Sequence, residues 1–169
     1  PSFSAGLRTV LRQDPDVVMI GEMRDATSIA TAMTASETGH LVFSTLHTNS
    51  AAQTIDRIID SFPPEQQSQA MSQLAATLVA IISQRLVPRL SGGRIPVNEI
   101  MIVNPAIRNL IRERKIYQID LVIETSVQEG MITLNRSLAT LVKNKEISLE
   151  NAELYSLNPA ELRILLERI

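Results

Sequence analysis

Residues 14–25 read Asp14-Pro-Asp-Val-Val-Met-Ile-Gly-Glu-Met-Arg-Asp25, in which an uncharged run over 17–21 is followed by charged residues. The four residues from Val17 to Ile20 are apolar without alternation, as in a central parallel strand that is covered on both faces. Glu22 follows this strand at its carboxyl end, the edge at which open α/β sheets bind ligands. The stretch predicts a buried strand that delivers a carboxylate to a phosphate site. The alternative is an ordinary buried strand followed by a solvated loop.

The next residues complete a strand–helix–strand unit. A helix is predicted over Ala26 to Thr38, with Asp25 as its amino-terminal cap and Gly39 as its stop. Leu41 to Leu46 is predicted to be a second buried strand. This order predicts two parallel strands joined by a right-handed crossover, and hence an α/β fold.

The rest of the chain divides after residue 104. Ser50 is placed to cap a helix that ends before Pro63, and helical spacing then continues through Leu74, Leu78, Ile81 and Ile82. The further elements expected are a helix over Phe3 to Gln13, strands over Gln84 to Leu90 and Ile95 to Ile102 joined at Gly92-Gly93, and helices over 105–114, 116–125, 133–144 and 158–168. We therefore predict two domains, residues 1–104 with the sheet and residues 105–169 as a small all-helical appendage.

Composition excludes several classes of protein. Aromatic residues make up 3% of the 169 residues and the formal charge is −2, so stacking surfaces are nearly absent and the basic excess of nucleic-acid binders is missing, which argues against that class. The chain has no Cys, which excludes a disulfide framework and a thiolate metal site. No apolar run approaches the roughly 18 residues that span a bilayer, so the cytoplasm is the expected location.

Two segments carry a resemblance to a known family. They are Asp14 to Asp25 and Thr34-Ala-Ser-Glu-Thr-Gly-His-Leu-Val-Phe-Ser-Thr-Leu-His-Thr-Asn-Ser-Ala-Ala-Gln-Thr-Ile-Asp-Arg57. Together they resemble the Asp box, Walker B segment and His box of the secretion-type ATPases. Further along, Ala106-Ile-Arg-Asn-Leu-Ile-Arg-Glu113 resembles the carboxyl-terminal signature of the branch that retracts type IV pili. The resemblance implies part of a RecA-like P-loop ATPase core, with a mostly parallel sheet, followed by the helical appendage.

Glu22 is the first candidate for the catalytic base. A nucleotide hydrolase needs a carboxylate near Mg²⁺ and the attacking water, and Glu22 closes its strand where such a group is required. The resemblance gives Glu22 the same role, as the catalytic glutamate of the Asp box. The alternative is a surface ion pair with Arg24. Apart from Mg²⁺ contacted by Glu22, the chain alone is expected to hold no metal.

The remaining site candidates are Arg24 of the first segment, at the nucleotide or at a subunit interface, and residues of the second segment. His47 follows the second strand level with Glu22, which suits a sensor of the γ-phosphate, and Thr48 adds a neutral donor beside it. Arg57 belongs to the same His box and is a candidate for action across a subunit boundary. Glu37 matches the acid of the Walker B segment but precedes its strand, so it is expected at the opposite edge of the sheet, in a metal, structural or interface role. His40 is expected to be a satisfied core residue.

The segment from Ala106 to Glu113 is the candidate coupling motif. Ile107, Leu110 and Ile111 form one apolar face of a predicted helix. Arg108 and Arg112 lie four residues apart, a spacing at which like charges repel by roughly 0.2–0.5 kcal/mol. Acidic groups of a partner or another subunit would relieve this repulsion. The motif also contains Asn109.

The chain lacks the phosphate loop itself. No G-x-x-x-x-G-K-[ST] occurs, and the chain begins with Pro1 rather than Met, so we expect a longer parent whose phosphate loop and amino-terminal domain lie upstream. The resemblance implies ATP and Mg²⁺ as ligands, both requiring that upstream region, and no zinc. It implies a homo-hexamer that drives pilus retraction at the cytoplasmic face of the bacterial inner membrane. There the ring would meet a pilus platform protein and associate with the membrane through partners.

Two rival functions remain. Pilus assembly and type II secretion ATPases usually carry two C-x-x-C pairs for zinc after the Gln-Arg-Leu segment, whereas here Gln84-Arg-Leu runs without Cys into Ser91-Gly-Gly-Arg94. A rival of another class is a non-catalytic oligomeric adaptor that retained the fold. Glu22 and His47 argue against the adaptor.

Overall fold

The computed structural model describes Gly6 and residues 9–168, and it contains two compact units. The first unit comprises the described residues up to Val79 together with Val103–Ile119, and the second comprises Ala80–Ile102 and the chain from Asp120 onward. The helix expected over Phe3 to Gln13 lies largely outside the described residues. At its carboxyl end, Leu11–Gln13 form a 3-10 turn. No helix within the described part is long and apolar enough to cross a membrane.

The first unit is built on a parallel pair of strands. Its described elements are β1 (Val17–Ile20), α1 (Ala26–Glu37), β2 (Leu41–Ser44), α2 (Ala51–Asp60), α3 (Pro64–Thr77), α4 (Pro105–Arg112) and a 3-10 turn (Ile116–Gln118). The two strands pair in parallel from Val17 opposite Leu41 to Ile20 opposite Ser44. The predicted strand–helix–strand unit is therefore confirmed, with β2 ending earlier than Leu46.

Local capping explains where the helices of this unit begin and end. The Asp25 carboxylate accepts the Ser28 N–H at 2.8 Å, and the Ser50 hydroxyl accepts the Gln53 N–H at 3.1 Å, as both caps were predicted to do. After α1, Gly39 adopts a φ of 98°, which a residue with a Cβ rarely reaches.

The prediction that β1 is covered on both faces is wrong for this chain. Val18 and Ile20 are buried against Ala32, whereas Val17 is 54% exposed and Met19 is 66% exposed. In β2, Leu41 and Phe43 are also exposed, and they lie directly opposite Val17 and Met19. These four residues form the uncovered strand face. The apolar run indicates burial on two sides, but the described part of the first unit covers only one.

The second unit is an antiparallel hairpin packed with helices. Its described elements are β3 (Ala80–Pro88), β4 (Arg94–Ile102), α5 (Ile119–Thr125, which begins at the last residue of the first unit), a 3-10 turn (Val127–Glu129), α6 (Leu134–Lys143), α7 (Leu149–Tyr155) and α8 (Pro159–Arg168). The strands turn at Gly92 and Gly93, whose φ angles of 94° and 74° require glycine-like freedom. Val87 and Val97 from the hairpin pack with Leu138 of α6 in one buried core.

The helical spacing predicted through Ile81 and Ile82 is wrong, because α3 ends at Thr77 and both residues lie in β3. A short apolar run fits the period of a helix and of a strand equally, and the pairing of β3 with all nine residues of β4 decides in favour of the strand. Helix α7 was not predicted. Its signal is Ser148, whose hydroxyl accepts the Asn151 N–H.

The compact units divide the chain differently from the boundary predicted after residue 104. Helix α4 follows that boundary but packs with α3 in the first unit, while the hairpin precedes it but shares its core with α6 and α8. The mixed α/β class and the helical carboxyl-terminal part are confirmed. The assignment of residues 1–104 and 105–169 to two functional domains stays a prediction.

Candidate active site

The candidate site lies at the carboxyl edge of the parallel strands. Because Ile20 pairs with Ser44, the loops that follow β1 and β2 leave the sheet at the same edge. The Met23 N–H donates to the Thr45 carbonyl at 3.3 Å, and the Thr45 hydroxyl donates to the Gly21 carbonyl. These bonds hold the two loops together and bring Glu22 beside His47.

Glu22 contacts both a guanidinium and an imidazole. Arg24 donates from Nε to Oε2 at 2.8 Å and places Nη2 2.7 Å from the same oxygen. His47 Nε2 lies 3.3 Å from Oε1. The Glu22 side chain is 25% exposed, while Arg24 and His47 are largely open to solvent.

These contacts determine the charge of the carboxyl group. The hydrogen bond from Arg24 lowers the pKa of Glu22 below its ordinary value, with the charges of Arg24, His47 and Arg57 acting in the same direction. Partial burial opposes this and raises the pKa, but by less. Glu22 is therefore ionised at neutral pH, as a proton acceptor must be. The structure thus contains both the ion pair with Arg24 and the neighbouring His47.

The other candidates from the His box lie around this centre. The Thr48 hydroxyl lies 2.7 Å from the Thr54 hydroxyl, so Thr48 is engaged by the first turn of α2. Arg57 is exposed on α2 and lies close enough to act on the Glu22 charge. His40 is separate from this group, because its Nδ1 lies 3.0 Å from the Ala35 carbonyl and 3.1 Å from the Thr38 hydroxyl.

A cleft of about 400 Å³ opens beside Arg24. Its lining residues are Met23, Arg24, Leu46, Gln53, Asp56, Arg57, Asp60 and Ser61. Asp56 and Asp60 were not among the predicted site residues. Burial raises the pKa of Asp56, and the nearby Asp60 adds to that rise. The sequence pattern that could have indicated Asp56 and Asp60 is their spacing of four residues, which places both on one face of α2 close to Arg57.

Glu37 lies away from Glu22. It ends α1 before β2 begins, at the edge of the sheet where the strand direction predicts it, and its Oε2 accepts a hydrogen bond from Gln73 Nε2 at 3.1 Å. Asp16 belongs to the same edge, since its carbonyl accepts the Leu41 N–H. The contact with Gln73 of α3 is what a structural role for Glu37 requires, and its role as a metal ligand stays a prediction.

The coupling motif forms helix α4, and its two arginines differ. Arg108 Nη1 donates to the Ala75 carbonyl at 2.6 Å and to the Ala76 carbonyl at 2.9 Å, so it closes the carboxyl end of α3. Arg112 is exposed. The carbonyl oxygens of α3 already stabilise the charge of Arg108, so only the exposed Arg112 is left for the predicted acidic groups of a partner.

The other residues of α4 divide into buried and exposed positions. Ile107 and Ile111 are fully buried, Leu110 is half-buried, and Ala106 is exposed. Asn109 donates to Glu113 at 2.9 Å, and Lys115 Nζ lies 2.7 Å from the other oxygen of the same carboxylate. The motif therefore presents Arg112, Asn109 and Glu113 on the surface of a helix that its isoleucines anchor.

The described residues contain few side chains that could bind a metal ion together. Among Gly6 and residues 9–168, no three His, Asp or Glu side chains gather as a metal-binding group. A single ionised carboxylate suits Mg²⁺ that is held mainly by phosphate oxygens, since Mg²⁺ commonly uses one or two carboxylates together with substrate phosphates. Glu22 fits that role. The absence of zinc stays a prediction that elemental analysis can test.

Known proteins resemble this chain over most of its length. A family profile described as "Type II/IV secretion system protein" matches residues 1–92. The "Type IV pilus retractation ATPase PilT" of Pseudomonas aeruginosa is 53% identical over 150 residues, which cover 89% of this chain and 44% of the relative. The "Twitching motility protein" of Neisseria gonorrhoeae is 51% identical over 152 residues, covering 89% of this chain and 41% of the relative.

A solved structure shares the fold. It is described as "Crystal Structure of the Pilus Retraction Motor PilT and Bound ADP", and it matches with a TM-score of 0.85 and 49% identity over 99% of this chain and 46% of its own. The parallel strands joined by a helix, with the helical carboxyl-terminal part, define an α/β protein. The chain belongs to the type II/IV secretion system protein family. It spans less than half the length of these relatives.

Proposed function

We propose that the intact protein containing this chain is an ATPase motor that powers type IV pilus retraction. The observation that carries the proposal is the 3.3 Å approach of Glu22 to His47 at the carboxyl edge of β1 and β2, in a chain of this family. The names of the relatives support the retraction branch, as does the motif from Ala106 to Glu113.

In the proposed reaction Glu22 is the general base. Bound Mg-ATP supplies the phosphoanhydride bond that is cleaved. The ionised Glu22 carboxylate accepts a proton from the attacking water, a step that contributes roughly 10²–10⁴ in rate. His47, held next to Oε1, orients the carboxylate and senses the γ-phosphate. Arg24 lowers the pKa of the Glu22 carboxyl group and occupies Oε2.

The activity requires parts that this chain does not contain. The phosphate loop supplies backbone N–H groups and a Lys to the phosphates, and no such loop occurs in residues 1–169. We propose that the 169-residue chain alone does not hydrolyse ATP. Turnover of Mg-ATP by the purified chain at a motor-like rate would exclude this.

We propose a homo-hexameric ring for the intact protein. Arg57, exposed beside the cleft, is the residue proposed to reach a neighbouring subunit. The proposed location is the cytoplasmic face of the bacterial inner membrane, where the ring contacts a pilus platform protein and associates with the membrane through its partners. ATP and Mg²⁺ are the proposed ligands, with no zinc.

The decisive test uses Glu22→Gln in the intact protein. The substitution removes the base but not the phosphate cradle, so hydrolysis should fall by at least roughly 10² while ATP affinity stays within a few-fold. Glu37→Gln is the matched comparison, because Glu37 lies at the opposite edge and contacts Gln73. It should retain most of the hydrolysis. Equal loss of binding and hydrolysis in Glu22→Gln would make Glu22 structural.

Two measurements separate the rival functions. A strain that lacks a retraction motor keeps surface pili but does not twitch, whereas loss of an assembly ATPase removes the pili and loss of a type II secretion ATPase blocks export. A non-catalytic adaptor predicts that the intact protein with an intact phosphate loop fails to turn over Mg-ATP. The absence of Cys after Gln84 favours retraction over the zinc-binding relatives.

A further inference from the structure

Two turns of the second unit abut at one end of the hairpin. The hairpin turn is tight, since the Arg89 N–H donates to the Gly93 carbonyl and the Gly92 N–H donates to the Arg89 carbonyl, both at 3.1 Å. The Leu90 N–H then donates at 2.8 Å to the carbonyl of Glu146, in the turn that follows α6. We call residues 89–94 and 143–146 together the basic tip.

The basic tip gathers positive charge on an otherwise acidic chain. Its cations are Arg89, Arg94, Lys143 and Lys145, all at exposed positions. Its own carboxylate is Glu146, which Arg89 binds at 2.6 Å, and Glu150 lies nearby in the first turn of α7. The tip is therefore net positive on a chain whose formal charge is −2. Such separation of charge orients a protein towards an anionic surface.

An apolar side chain lies among these cations. Leu90 is 61% exposed between Arg89 and the two glycines, and its backbone is held by the bond to Glu146. Lys and Arg around an exposed aliphatic residue are the combination that binds the boundary between lipid headgroups and acyl chains. The tip contains no aromatic residue for stacking on nucleic-acid bases.

We infer that the basic tip binds the headgroups of an anionic phospholipid bilayer directly, with Leu90 entering the interface. This deepens the proposed membrane location by adding a lipid contact to the contacts made through partners. It does not depend on ATP hydrolysis, so its test uses vesicles without nucleotide and can fail independently of the proposed motor function.

The test is co-sedimentation of the intact protein with vesicles. The protein should bind vesicles made of equal parts phosphatidylcholine and phosphatidylglycerol, and it should bind poorly to phosphatidylcholine alone. Arg94→Gln with Lys145→Asn should weaken binding to the anionic vesicles roughly 25-fold, at about fivefold for each cation removed. Asn suits position 145 because Lys145 has a φ of 57°, a conformation that Asn tolerates. Leu90→Ser should weaken binding roughly tenfold.

The matched control removes two exposed cations elsewhere. Arg12→Gln with Arg136→Gln changes the net charge equally, and Arg136 lies in the first turn of α6 whereas Lys143 lies in its last. The control should bind anionic vesicles like the parent. Equal binding to both kinds of vesicle, or equal loss in the control, would overturn the inference. Loss with the cation variant but none with Leu90→Ser would overturn the placement of Leu90 in the interface.

Discussion

At the scale of single residues, Glu22 is governed by what surrounds its two oxygens. Arg24 binds Oε2 and His47 approaches Oε1, so each oxygen has a different neighbour. A base whose pKa is lowered is ionised over a wide pH range, but it is also a weaker proton acceptor. Arg24 therefore makes the Glu22 carboxylate less basic while keeping it ionised to lower pH, and both effects can be measured.

Removing Arg24 should shift the pH dependence of hydrolysis. Arg24→Ala takes away the hydrogen bond that lowers the pKa of Glu22, so that pKa should rise towards its ordinary value. The acidic limb of the pH profile of kcat/KM in the intact protein should then move to higher pH. Arg57→Ala is the control, because Arg57 acts on Glu22 through charge alone and should shift the limb less. If the acidic limb does not move in Arg24→Ala, the limb does not report the ionisation of Glu22.

The two histidines should differ in their importance. His47→Ala removes the group next to the Glu22 carboxylate and should lower kcat of the intact protein by at least about tenfold. His40→Ala loses only contacts with Ala35 and Thr38, so it should cost about 1 kcal/mol of stability and little activity. Parallel measurement of kcat and thermal unfolding distinguishes these outcomes. Mild, equal losses of activity would make His47 an ordinary surface residue.

At the scale of elements, helix α4 combines anchoring and exposed positions within eight residues. Ile107 and Ile111 are buried, and Arg108 closes the end of α3, whereas Arg112 faces solvent. The sequence shows two equivalent arginines four residues apart. Only the packing of α4 with α3 separates a structural arginine from one that is available to a partner.

The two arginines should therefore have different effects on folding. Arg108→Ala leaves two carbonyls at the end of α3 without their donor and should lower the free energy of unfolding by about 1–3 kcal/mol. Arg112→Ala should change it by less than about 0.5 kcal/mol. Ile107→Ala, which empties a fully buried site, should cost roughly 2–5 kcal/mol and provides the reference. Urea unfolding of the three variants measures the differences, and equal effects of the two arginines would contradict the assignment.

Arg112 is also the better residue with which to test coupling. Because Arg112→Ala should fold normally, a loss of twitching with retained ATPase activity would mean that the exposed side of α4 transmits motion. The Arg108 variant cannot give this answer, since its instability alone would reduce motility. Normal twitching in Arg112→Ala would show that Arg112 is not needed to couple ATP hydrolysis to pilus retraction.

Prediction from sequence succeeded where the cause is local. The caps Asp25 and Ser50 act on N–H groups three residues away, and the glycines at 92 and 93 supply the turn themselves. It failed where distant contacts decide. Ile81 fits a helix until β4 pairs with it, and Arg108 resembles a surface charge until α3 ends beside it. Glu22 and His47 could be placed together because parallel strands share their carboxyl edge.

At the scale of the whole molecule, the two compact units contain different parts of the proposed function. The first unit holds Glu22, His47 and the motif helix α4, and the second holds the hairpin with the basic tip. The residues proposed for hydrolysis and those proposed for lipid binding therefore lie in separate packing units. Variants in one unit should leave the property of the other unchanged.

The uncovered strand face determines how this chain behaves when it is produced by itself. Val17, Met19, Leu41 and Phe43 form a contiguous apolar patch on a sheet that has only two strands in the described residues, and such surfaces cause self-association. The isolated chain should sediment as concentration-dependent oligomers. Met19→Lys with Phe43→Lys should restore a monomer without unfolding it, because both side chains already face solvent, whereas Ile82→Lys in the second unit should have less effect. If the chain stays monomeric at all concentrations, these four exposed side chains do not cause self-association.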